Sequence, residues 1–369
     1  MSAVAELVRE ADDLPGGWRI STIGETADIL DKLRVPLNSE ERRRRQGQYP
    51  YWGANGIVDY IDDFIFDEPL VLMAEDGGYF HEAASRPICH RLDGRAWVNN
   101  HAHIIRPTGA DRDYFYYWFV HRDITPYIKG GTRSKLNQAD LKRLPILLPP
   151  LDEQRRIAEV LRSVDEAIAA GEAAHQQSCE TLRAARTDLV GLNGGKAHWA
   201  ARPILDCFQL QRGHDLPVQK REPGDVPVIA SNGPVGAHNV AAIPGPCVVT
   251  GRSGTIGKVS YFAGPSWPLN TTLYVKDFRG SDPRFVFHFL SAFPLQDYQS
   301  GTGVPTLNRN DVHAVDVFWP PKEEQEMVAK ALDRLERAVG DAEDALRSLV
   351  GVKRSLMSDL LSGRVRVPA

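Results

Sequence analysis

Several stretches hold side chains whose types and spacing could do chemistry. His101-Ala102-His103 sets two imidazoles two residues apart, on one side of a strand, with Cys89-His90 upstream. Ligand pairs so scattered serve packing and hydrogen bonding more often than metal, and no metal is expected. The run GRSGTIGK (Gly251–Lys258) resembles a phosphate-cradling loop, but a Walker loop needs Gly at 252 and Ser or Thr at 259. This chain has Arg252 and Val259 there. An adenine methyltransferase needs two prolines between a polar residue and an aromatic one. The proline pairs here sit in LPPL and WPPK. No nucleophile–base arrangement stands out, so the chain reads as non-catalytic, with no catalytic residue assigned.

Recognition chemistry is better represented. ERRRRQGQYPYW sets Arg43 and Arg44 of a four-arginine run beside Tyr51, a pattern suited to phosphate contact or to a solvated face. GGTRSKLN (Gly130–Asn137) carries Thr132, Arg133 and Lys135 on a glycine-hinged turn. GTGVPTLN, with Thr302, is its counterpart without the charges. Arg252, Ser253 and Lys258 ride on GRSGTIGK. Side chains able to pair with base edges, or to cap turns instead, are Asn55, Tyr79, Asn100 and His101 in the first half. Ser231, Asn232, Asn270 and Thr271 are the candidates in the second. The net charge of −4 opposes a nucleic-acid partner. However, segments 152–190 and 322–361 together carry 17 acids against 12 bases, which leaves the remainder near neutrality.

Those two segments are the elements that must position the rest. PPLDEQRRIAEVL at Pro149 returns as PPKEEQEMVAKAL at Pro320, 171 residues later. The register holds for Leu136-Asn137 with Leu307-Asn308 and for Asp188-Leu189 with Asp359-Leu360. It drifts for Asn55-Gly56 with Asn232-Gly233 and for Trp18 with Trp199. Apolar residues recur in steps of four and three: Ile157, Leu161, Val164, Ile168, then Leu182, Ala185, Leu189. The second copy reads Val328, Leu332, Leu335, Val339, Ala342, Leu346, Leu349, then Leu356 and Leu360. Each run predicts a helix of about 40 residues, or about 60 Å, with Asp152 able to cap the first and Gly191 and Gly363 as stops. One apolar stripe on so long a helix needs a partner. An antiparallel pair would place the two preceding domains at opposite ends.

The segments between are rich in Gly, Pro, Asn and aromatics. Strand-like runs (EPLVLMAEDGGYF, AHIIRP, GPCVVTGRSGTIGKVSYF, TLYVKDF) precede helical aromatic stretches (YFYYWFVHRDI, FVFHFLSAF). The expected fold is α+β. Residues 18–150 and 192–321 form two mixed domains, 151–191 and 322–362 form spacer helices, and 1–17 and 363–369 flank them. Four cysteines without CxxC spacing, no apolar run long enough for a bilayer and no signal pattern suggest a cytoplasmic protein.

GGTRSKLNQADLKRLPILLPPLDEQRRIAEVL resembles the junction between recognition domain and spacer helix in the specificity subunits of Type I restriction–modification systems. GRSGTIGKVSYF, YPYWGANGIVDYI and SDLLSGRVRV are similar to other parts of that family, and the resemblance spans the chain from Trp18 onward, twice over. It implies two target-recognition domains arranged pseudo-symmetrically, separated by an antiparallel coiled coil. It also implies a split double-stranded DNA target, two methyltransferase subunits and restriction or translocase subunits. S-adenosylmethionine, ATP and Mg would belong to those partners, with no cofactor on this chain. A coiled-coil adaptor that binds proteins rather than DNA is the alternative reading.

Overall fold

The computed structural model describes residues 14–128, 134–301 and 305–367. The chain divides into two units, residues 1–169 with 347–369 and residues 170–346.

In the first unit, Leu70–Ala74 is buried along its whole length, although its neighbours run antiparallel. The reason is that both of its faces are covered. Val71 and Met73 enter the main core, while Leu70 and Leu72 enter a second cluster with Val98, Ala102 and Ile104. The sheet runs Ala27–Ile29, Ala102–Pro107, Leu70–Ala74, Cys89–Leu92. A second sheet runs Gly56–Ile61, Gln46–Gly53, Arg95–Val98, Phe66–Asp67, and its middle pair is parallel. The aromatic stretch forms the helix Arg112–Phe119, capped by the Asp111 carboxylate, and it buries Tyr114, Phe115, Tyr117, Trp118 and Phe119. A ribbon pairing Arg19–Thr22 with Pro145–Leu148 then leads into the proline pair.

The second unit repeats the order. Gln209–Arg212, Thr272–Asp277, Cys247–Gly251 and Val259–Phe262 form one sheet, and Gly233–His238, Val226–Ala230 and Trp267–Pro268 form the other, again with one parallel pair. Asp282 caps the aromatic helix Pro283–Ala292, and Ala200–Pro203 pairs with Asp316–Trp319.

The long helices span Leu151–Leu189 and Lys322–Ser362. Within the first unit, Ile157, Ala158 and Leu161 at the start of one pack with Leu356, Leu360 and Leu361 at the end of the other. Within the second, Leu182 and Ala185 near the end of the first helix pack with Val328, Leu332, Leu335 and Val339. Start meets end each time, so the pairing is antiparallel. Truncating fully buried Ile157 or Leu332 to Ala would cost about 2–5 kcal/mol. Val164, Ile168, Ala342, Leu346 and Leu349 are half-buried.

Two details differ from the sequence pattern. Leu189 is 39% exposed, whereas its neighbour Val190 is fully buried and completes the seam; the chain is leaving the helix there. Asp152 lies inside the first turn, paired with Arg155 at 3.5 Å, because the helix begins one residue earlier; its carboxylate complements the dipole instead of capping. Gly191 and Gly363 hold φ of 84° and 77° and end the helices as expected.

The repeated Glu-Gln pair has a structural cause. Glu153 and Gln154 are 2% and 3% exposed. Trp18 Nε1 donates to Glu153 at 3.2 Å, and Arg366, from the tail beyond the second helix, makes two bonds to it at 2.5 and 2.7 Å. Gln154 accepts from Asp111 N and donates to the Pro149 carbonyl, both at 2.8 Å. In the second unit Trp199 and Lys196 hold Glu324 at 3.2 and 2.8 Å, and Gln325 bridges Asp282 N and the Pro320 carbonyl. Each pair welds helix start, entry strand and aromatic helix into one joint.

Candidate nucleic-acid interface

Strand ends on one side of each unit bring the polar loops together. In the first unit Asn55, on the turn closing the Gln46–Gly53 and Gly56–Ile61 hairpin, donates to the Gly77 carbonyl at 2.9 Å. Gly77 belongs to the loop after Leu70–Ala74, where Asp76 meets His101 Nδ1 at 2.5 Å. Beside them the Arg86 guanidinium lies 4.0 Å above the Tyr79 ring, and Asn100 is exposed. Lys135 arrives from the segment preceding the long helix, pairing across a single bridge with Asp76 and reaching Glu75 at 3.0 Å. Burial pushes the Glu75 carboxyl up, but bonds from Arg34 at 2.5 Å and from Lys135 outweigh it and hold it below the usual range.

The second unit uses the same backbone frame. Leu136 N donates to the Glu75 carbonyl and Leu307 N to the Arg252 carbonyl, both at 2.8 Å. Glu75 N and Arg252 N donate in turn to His101 and Thr271, again at 2.8 Å. Ser253 bridges Thr306 as Asp76 bridges Lys135. The side chains differ entirely. Arg252 stands where Glu75 does, with one 3.4 Å bond to the Asn270 carbonyl. Lys258 donates to the Asn232 carbonyl at 2.7 Å, tying its loop to the turn that carries Ser231 and Asn232. Asn270 bonds Asp215, and the Thr271 hydroxyl is buried without a partner among the described residues.

The sequence-derived candidates therefore sort unevenly. Asn55, Tyr79, Asn100, His101 and Lys135 converge in the first unit. Ser231, Asn232, Arg252, Ser253, Lys258, Asn270 and Thr271 converge in the second. Tyr51 does not join them: it is 1% exposed, and its hydroxyl accepts from Leu37 N at 2.9 Å, so it anchors the strand. The four arginines also divide. Arg42 pairs with Asp59 at 3.1 Å, Arg44 with Glu40 on its own short helix, and Arg45 with Asp62 at 2.9 Å. Arg43 alone of the four is exposed without a carboxylate partner among the described residues. Thr132, Arg133 and Thr302 lie outside the described residues.

Composition gave no hint of the layer beneath the first unit's loops. Asp31, Glu75 and His103 bring ligand-type atoms within 4.8 Å of one another. The Arg34 guanidinium contacts both carboxylates, at 2.5 Å from Glu75 and 3.6 Å from Asp31, and so already supplies the cation. Burial pushes the Cys247 thiol up to about 11 and the Cys207 thiol up to about 12, leaving neither as thiolate near neutrality. No helix of the described residues is long and apolar enough to cross a membrane.

The chain is similar to known proteins over most of its length. The family model described as Type I restriction modification DNA specificity domain matches residues 15–177 and again 196–345. A type I restriction enzyme specificity subunit of Haemophilus influenzae is 23% identical over 360 residues, covering 88% of this chain and 89% of that one. The crystal structure of a Type I restriction–modification S subunit from M. genitalium superposes with a TM-score of 0.65 at 16% identity, covering 93% and 96% of the two chains. A chain from a structure of type I R-M complex assembly and conformational transition gives 0.60 at 14% identity, covering 95% and 99%. With its specificity domain present twice and matched over most of its length, the chain belongs to the Type I restriction–modification DNA specificity family.

Proposed function

We propose that this chain is the non-catalytic DNA-reading subunit of a Type I restriction–modification complex, binding a bipartite, asymmetric double-stranded target with one half-site per unit. The observation that carries the reading is the shared loop frame with unshared side chains: Glu75, Asp76 and His101 in one unit correspond to Arg252, Ser253 and Thr271 in the other. One frame with two chemistries suits two different short sequences. Partner N6-adenine methyltransferase subunits, two per chain, and restriction subunits would carry S-adenosylmethionine, ATP and Mg.

The test is methylation mapping. Co-expressed with the modification subunit of its own system, the chain should direct adenine methylation to one motif made of two unlike halves around a fixed gap. Methylation without a consensus, or a palindromic motif, would overturn the asymmetric reading. Failure to shift duplex DNA even in the complex would favour a protein-binding adaptor instead.

A further inference from the structure

His103 is 1% exposed, with Nδ1 2.6 Å from Asp31 Oδ2 and Nε2 2.8 Å from the Leu136 carbonyl. The imidazole thus bridges a carboxylate and a backbone carbonyl, both of them acceptors. Asp31 is committed as an acceptor. Ile104 N and Gln138 Nε2 donate to it at 3.0 and 3.3 Å, and Arg34 lies 3.6 Å away. Burial pushes the Asp31 carboxyl up, but the His103 bond and charge, the Ile104 bond and Arg34 together hold it below its usual range. Both backbone groups of Leu136 are thereby fixed, its N–H on Glu75 and its carbonyl on His103. Ser134 and Lys135 just before it face His81 and Glu75.

The second unit shows what the fold alone requires. Strand register sets Leu273 where His103 stands, yet Leu307 N still reaches the Arg252 carbonyl. The frame forms without the imidazole.

We propose that Asp31 and His103 are positioning residues that fix Ser134–Leu136 for reading the first half-site. The proposal rests on the DNA-reading function above. Without the imidazole the Asp31 carboxylate and the Leu136 carbonyl each lose a buried partner, so the segment loosens. The other charged groups around the ring do not supply the missing donor to Leu136. Arg34 and Asp31 come from the turn, Glu75 Oε2 lies 3.9 Å from Nδ1 at the strand end, Lys135 is engaged by Glu75, and His101 is engaged by Asp76.

The assembled complex should be measured on duplexes altered in one half-site at a time. The variant H103L, which installs the second unit's residue, should lower discrimination at the first half-site about tenfold while the second holds. H103Q, which keeps a donor able to reach the Leu136 carbonyl, should recover part of that loss. Equal loss at both half-sites, or no loss at either, would overturn the proposal. An unaltered complex that discriminates at neither half-site would sink the DNA reading and this role together. Should H103L fail to fold, D31N should show the same one-sided loss, and unchanged discrimination there would overturn the proposal.

Discussion

Glu75 and Arg252 occupy one place in a repeated frame and carry opposite charge, and that exchange governs how each loop meets an anion. In the first unit the Lys135 ammonium is balanced by Glu75 at 3.0 Å, whereas among the described residues Arg252 has only a carbonyl contact at 3.4 Å. Replacing Arg252 with Ala should therefore weaken DNA binding about tenfold and lower the salt slope by up to about one unit. K135A should leave the slope nearly unchanged, because a balanced pair releases few counterions. Equilibrium binding across a salt series checks both, and equal slopes for the two variants would remove the distinction. Residue types in the sequence singled out loops that the fold brings together within each unit, since Asn, His, Arg and Lys beside glycines suit recognition. They could not show that Arg42 and Arg45 are held by Asp59 and Asp62, because those partners come from the strand Gly56–Ile61 and the turn after it.

Among the elements, the long helices were legible because a heptad stripe is local and this one recurs 171 residues on. Strand order was not legible. Antiparallel partners such as Ala27–Ile29 and Ala102–Pro107 lie far apart in the chain, and no local signal selects them. The helix–domain contacts add something only the structure reveals. Asp113 on the first aromatic helix lies 3.7 Å from Arg162, while the same two places in the second unit hold Arg284 and Asp333, a pair of reversed sign. Each domain is thus matched to its own helix segment and mismatched to its counterpart's. D113R should destabilise the first unit by about 1–2 kcal/mol through repulsion from Arg91, Arg112 and Arg162. Adding R162D should restore about half of that, measured as a double-mutant cycle by chemical denaturation. Additive effects would show that the pair is not coupled.

On the scale of the whole molecule, the proposed split target makes helix length a ruler. Adding one heptad after Val164 and another after Leu335 keeps the seam in phase and adds about 10 Å, the rise of about three base pairs. The altered complex should methylate the same two half-sites across a gap about one to three pairs longer, read by methylation mapping. An unchanged gap would show that the helices set no spacing. The division of the chain carries a consequence for how the protein comes into being. The first unit needs residues 347–369, whereas the second is one continuous stretch, 170–346. On a ribosome the opening 169 residues emerge early, yet their core still lacks Leu356, Leu360 and Leu361, and Glu153 still lacks Arg366. The part translated first is completed last, after the entire second unit has left the exit tunnel. Nascent chains halted before Arg347 would thus display an unfinished apolar surface, a natural mark for chaperones and proteases.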